Sequence, residues 1–202
     1  MAEKMQTPDY ILDIRKGKYS KEGAVSAILR ECNITKFPVN VWNIARKLNF
    51  RVLEATFRDK NTSGMMIDAD EVPEILKDFG CKRAIILNRN EEKNIQSFTI
   101  AHELAHFAYD CNESINCFDA YHISRERDGE ELTAEERADK EKEDERDRFA
   151  AMLLMPEEMF RTYVNSSKNR NNRSQLAKEL SEVCLVAEEA VERRFDELGI
   201  IF

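Results

Sequence analysis

Residues 98–110 read FTIAHELAHFAYD, and the fold turns on whether this stretch is a single helix. Phe98, Ala101, Leu104, Ala105 and Ala108 recur at the three- and four-residue spacing of a helix with an apolar side. The same spacing sets His102 and His106 one turn apart on one face, with Glu103 displaced around the helix between them. Two of the chain's three histidines therefore stand side by side.

The flanking sequence predicts what this helix packs on. RAIILN (83–88) has the unbroken apolar run of an inner strand, and NRNEEKN then ends it. RVLEATF (51–57) places Leu53, Ala55 and Phe57 on one face, and SGMMIDA (63–69) follows the turn-prone DKNTSG. A small sheet of about three strands is expected ahead of the helix. Further upstream, KEGAVSAILREC (21–32) reads as a helix after Ser20, and VWNIARKLN as another after Asn40.

Downstream, residues 123–148 are charged at 19 of 26 positions and by composition alone resemble a linker. Thr133 and Glu136 nevertheless have the spacing of a capping box. The run also enters FAAMLLMP, where Phe149, Ala150, Leu153 and Leu154 form one helical face. One helix from about 134 to 155 is expected, stopped by Pro156, which opens the next. Residues 111–132 read as a loop and residues 174–202 as two further helices, with no internal repeat.

With 202 residues, 42% hydrophobic and 35% charged, the chain has room for a substantial core. It contains no run of about 18 apolar residues and its first twenty residues lack a signal peptide, which predicts a cytoplasmic protein with no membrane segment. Cys32, Cys81, Cys111, Cys117 and Cys184 have no paired spacing and fit reduced thiols. Cys111 and Cys117 lie near the histidines in sequence but read as buried thiols rather than zinc ligands. A net charge of −8 disfavours direct nucleic-acid binding. Residues 174–202 carry three basic and seven acidic side chains, so those helices read as packing elements rather than a DNA reader.

H-E-x-x-H on a helix is a zincin pattern, in which two imidazoles hold one zinc ion and the carboxylate serves as general base. A catalytic zinc takes a third protein ligand and keeps one position for water. At 100° per residue, Asp139 and Glu143 fall near the inward face of the 134–155 helix, whereas Glu141, Asp144 and Glu145 point away. Asp147 lies one turn beyond Glu143 on the same side. That pair suits a ligand and a carboxylate that orients a ligating imidazole. For any single acid in so charged a run, a solvated face is the ordinary alternative. Tyr121 and His122, in the expected loop, are candidates for steadying an oxyanion.

Taken together, SGMMID, FTIAHELAHF and EDERDRFAAMLLMP resemble the ImmA/IrrE family of zinc metallo-endopeptidases. The last segment has that family's spacing of Glu, three residues, Asp, one residue, Phe-Ala and then Leu-Leu-Met-Pro. The resemblance covers most of residues 37–160, and AVERRFDELGII is similar to the family's C-terminal helix. It implies one Zn2+ held by His102, His106 and Glu143, with Glu103 as general base and Asp147 behind the ligands. It also implies a zincin-like α+β fold whose edge strand can pair with a substrate backbone. The expected organisation is an N-terminal helical extension (1–36), a metallopeptidase core (37–160) and C-terminal helices packed on it (161–202).

The implied activity is an endopeptidase of narrow specificity. Its partner would be a repressor or antitoxin-like regulator encoded nearby, in phage, mobile-element or stress regulation. The alternative is a non-proteolytic regulatory or toxin module that binds such a partner through the same fold. Two positions depart from the family. Arg146 stands where a small residue is usual, at the centre of the inward face, and must find a carboxylate or extend outward. Ala105 replaces a frequent glycine.

Overall fold

Strand β3 (Arg83–Asn88) is buried at every position, as an inner strand covered on both faces must be. The computed structural model describes residues 7–69, 71–110, 117–122 and 133–202, with the side chains of 117–122 and of Glu135 outside that description. In it β3 lies between β1 (Arg51–Ala55) and β2 (Thr62–Asp68). β1 runs parallel to β3, with Arg51 opposite Ala84, and β2 runs antiparallel, with Gly64 opposite Leu87.

A fourth strand, β4 (Cys117–His122), pairs antiparallel with β2 and sets the order β1-β3-β2-β4. The α+β class and mixed sheet stand as expected, but the sheet is one strand wider. The extra strand comes from the stretch read as a loop. Six residues between polar flanks carry too little periodic signal, and their strand conformation depends on pairing with β2, far away in sequence.

Alternation along the strands sorts side chains between the two faces. Leu53, Ala55 and Phe57 gather with Ile67, Ala84 and Ile86 in a small cluster, closed by Leu76 from the 3-10 turn Glu74–Phe79. Met66, Ile85 and Leu87 enter the main core on the other side.

On that side lies the helix of the opening stretch, α4 once α1 (Asp9–Arg15), α2 (Lys21–Cys32) and α3 (Val41–Lys47) precede it. α4 spans Lys93–Tyr109, and every residue from Thr99 to Ala108 is buried. It is a central helix rather than a surface one, enclosed by α1, α3, β2, β3 and α5 (Ala134–Leu154). β2 approaches α4 tightly at Gly64. A Cβ there would lie 2.5 Å from Thr99 Cγ2 and 2.9 Å from the Ile86 carbonyl oxygen.

The helix starts follow the sequence. Ser20 accepts from the Gly23 N–H at the head of α2, and Asn40 accepts from the Asn43 N–H at the head of α3. Thr133 and Glu136 close the capping box that starts α5. Pro156 ends that helix and caps α6 (Glu157–Ser166), followed by α7 (Arg173–Cys184) and α8 (Glu188–Glu197). One hydrophobic cluster runs from Ile11 and Ile14 of α1 to Val191 and Phe195 of α8.

α1 is too short to announce itself in sequence and is fixed by its contacts. Arg15 donates from Nε at 3.1 Å and Nη2 at 2.7 Å to the Phe107 carbonyl, one of the last-turn acceptors of α4. The Phe107 ring lies under the guanidinium carbons of both Arg15, at 4.8 Å, and Arg83, at 4.9 Å. No described helix is long and apolar enough to cross a membrane.

Candidate metal centre

The face of α4 that carries His102 and His106 meets α5, the helix with the acidic run. His102 is fully buried and His106 is 4% exposed. Their Nε2 atoms lie 3.0 Å apart. Glu143 reaches in from α5, its Oε2 3.1 Å from His102 Nε2 and its Oε1 3.6 Å from His106 Nε2. Glu103, next to His102 on α4, is 0% exposed.

The outer ring nitrogens are held from behind. His102 Nδ1 is 2.8 Å from Asp147 Oδ1, and His106 Nδ1 is 2.8 Å from Asp110 Oδ2. An ionised carboxylate only accepts, so each Nδ1 donates its proton. In the neutral ring this leaves the Nε2 lone pairs turned towards one another and towards Glu143. Three acceptors at such separations repel unless a proton or a cation lies between them.

That donor set fits a zinc ion. Ligand atoms sharing one tetrahedral ion at about 2.0–2.1 Å stand roughly 3.3 Å apart, and the two Nε2 atoms, at 3.0 Å, and the nearer carboxylate oxygen, 3.1 Å from His102 Nε2, stand close to that spacing, with the second oxygen 3.6 Å from His106 Nε2. The carboxylate behind each imidazole is the usual means of fixing a metal ligand's tautomer and orientation. His102, His106 and Glu143 are also the His/Cys/Asp/Glu group among the described residues whose ligand atoms gather within 4.8 Å.

Charge in the cluster follows from these contacts. Burial would depress the His102 imidazole, but Asp147 and Glu143 outweigh it and hold the pKa above its ordinary value. Hydrogen bonds from His102 and His106 keep the Glu143 carboxyl far below the usual carboxylate range. Burial acts to raise Asp110, yet His106 and Arg146 bring it below its ordinary value. A divalent cation bound among these groups would displace protons from its ligands.

The other residues singled out in the sequence fall as follows. Glu145 points to α2, where it pairs with Lys21 at 2.9 Å, and Asp139 pairs with Lys142 on the exposed side at 3.4 Å. Tyr121 and His122 lie on the edge strand β4, which touches α4, but their side chains fall outside the described residues, as does Cys111. Cys117 begins β4, and Ala105 is buried in α4. Arg146 finds its carboxylate in Asp110: Nε donates to Oδ2 at 2.8 Å and Nη2 donates to Oδ1. Asp110 is the residue that sequence reasoning missed. Its position four after His106 and the unmatched inward Arg146 were the available signals.

A buried H-E-x-x-H helix joined by a carboxylate from a second helix, beside a small mixed sheet, defines a metallopeptidase-like protein. The chain belongs to the Peptidase M78 family, whose IrrE N-terminal-like domain matches residues 45–196. No curated protein matches the chain.

Proposed function

We propose that this protein is a zinc-dependent endopeptidase of narrow specificity that cleaves a regulatory protein, a transcriptional repressor or antitoxin-like partner encoded nearby. The observation that carries the proposal is the convergence of His102 Nε2, His106 Nε2 and Glu143 on one point, with an intact Glu103 on the same helix. Zinc held there would supply Lewis acidity, lowering the pKa of a coordinated water to about 7.

The protein's own groups divide the remaining work. His102, His106 and Glu143 would hold the ion, and Asp147 keeps the His102 ring turned so that Nε2 faces inward. Glu103 takes a proton from the attacking water and returns it to the departing amine. The α4 side of the cluster is buried, while Glu143 leaves it open towards solvent on the α5 side, the direction from which a water and a peptide can enter. β4 offers an edge to an extended peptide, so backbone pairing supplies affinity and side-chain pockets supply selectivity. Tyr121 and His122 on that edge are the candidates for steadying the oxyanion.

The test is metal analysis of the purified full chain, followed by incubation with the repressor or antitoxin encoded beside it. One or a few defined cuts that vanish in Glu103→Gln support the reading. Capture of the partner without any cut would favour a binding module, and digestion of casein at many unrelated bonds would defeat narrow specificity.

A further inference from the structure

Asp110 caps the C-terminal end of α4, its N–H donating to the His106 carbonyl at 2.8 Å. A carboxylate there stands at the negative end of the helix dipole, against the local electrostatics. Three hydrogen bonds from two residues oppose that cost. Oδ2 accepts from His106 Nδ1 and from Arg146 Nε, each at 2.8 Å, while Oδ1 accepts from Arg146 Nη2. Arg146 is only 9% exposed, and its guanidinium carbon lies 5.1 Å from the centre of the Tyr109 ring. It therefore comes to Asp110 already desolvated and oriented, from the turn of α5 that carries Glu143 and Asp147.

We infer that Asp110 and Arg146 act as one positioning pair for His106. Asp110 fixes the imidazole so that Nε2 faces the donor cluster, and Arg146 keeps Asp110 from turning outward to solvent. The inference rests on the zinc-site reading above, which gives His106 its role. The pair also ties the end of α4 to α5, so the ligands contributed by the two helices hold one spacing.

The sign of an electrostatic effect separates this role from a bystander's. A cation near a divalent metal weakens binding by repulsion, so replacing a bystander arginine leaves zinc affinity unchanged or tightens it. Replacing a positioning arginine weakens it.

The experiment measures zinc affinity of the metal-free full chain by competition with a chromophoric chelator at fixed pH and ionic strength. Urea unfolding of the same metal-free samples is the second readout. Asp110→Asn is expected to weaken zinc binding about 10- to 100-fold. Arg146→Gln is expected to weaken it several-fold, and the double variant no more than Asp110→Asn alone. Arg148→Gln, which removes an exposed charge from the same helix, is the control and should bind at least as tightly as the parent.

Arg146→Gln binding zinc as tightly as the parent, or more tightly, would overturn the inference. So would a loss of metal-free stability with affinity unchanged, which would make the pair structural only. Should Arg146→Gln fail to fold, Arg146→Lys decides, since it keeps the charge and loses the fork. Parental affinity in that variant overturns the proposal, and weakened affinity at parental stability supports it. A parent chain with no zinc affinity refutes the metal-site reading itself and the positioning role with it, an outcome distinct from the others.

Discussion

Gly64→Ala tests a close approach of the sheet to α4. The added methyl would lie 2.5 Å from Thr99 Cγ2 and 2.9 Å from the Ile86 carbonyl oxygen. Carbon atoms ordinarily pack at about 3.5–4.0 Å, so roughly 1 Å of relief is needed. Thr99 is wholly buried, and its hydroxyl donates to the Ile95 carbonyl at 3.0 Å. Ile86 belongs to the inner strand and cannot yield without disturbing the β2–β3 ladder. Overpacking of this kind costs about 1–3 kcal/mol, and the backbone obstacle places this case near the upper end. At about 2–4 °C per kcal/mol for a chain of this size, the midpoint should fall by roughly 6–12 °C.

The assay is thermal unfolding with a chelator present, so that bound metal does not add to the midpoint. Thr99→Ser keeps the hydroxyl and removes Cγ2. Combined with Gly64→Ala it should recover part of the loss, with a coupling of about 1 kcal/mol between the two sites. A midpoint unchanged by Gly64→Ala, or strictly additive effects, would refute the close approach. Thr99 lies one turn before Glu103, so relief by tilting α4 away from β2 should also lower any cleavage rate.

Three further outcomes are expected. Glu143→Ala should weaken metal retention strongly and abolish cleavage, whereas Glu145→Ala should cost at most the surface ion pair with Lys21, about 0–1 kcal/mol; metal analysis showing the reverse would overturn the register of α5. Glu103→Gln should retain zinc and lose cleavage while His102→Ala loses both, and equal metal loss in the two would contradict the division between ligand and base. Burial pushes the Cys184 thiol up to about 12, so it stays protonated through neutral pH, and its alkylation should remain slow from pH 7 to 9 until the protein unfolds; rapid native labelling would show that the site opens.

Local signals account for much of what the sequence reveals. Ser20, Asn40 and the Thr133/Glu136 box mark helix starts because a cap is settled within three residues. β3 is legible because burial on both faces leaves an unbroken apolar run. The wheel around Phe149 and Leu153 brings Asp139 and Glu143 forward together, but only contact with α4 separates them, one at the histidines and the other on the exposed side. β4, α1 and Asp110 owe their places to partners distant in the chain. No window of sequence contains β2 beside β4, Phe107 beside Arg15 or Arg146 beside Asp110.

The Arg15 contact also bears on where this protein can be cut. The family match begins at residue 45, yet α1 supplies two donors to the carbonyl of the residue following His106, and Ile11 and Ile14 lie in the same core as α4. A fragment trimmed to the matched boundary would keep every candidate ligand side chain and lose the brace at the end of the helix that presents two of them. The matched domain and the packed unit therefore begin at different places in this chain, and the unit that braces the end of α4 reaches back to α1 at Asp9.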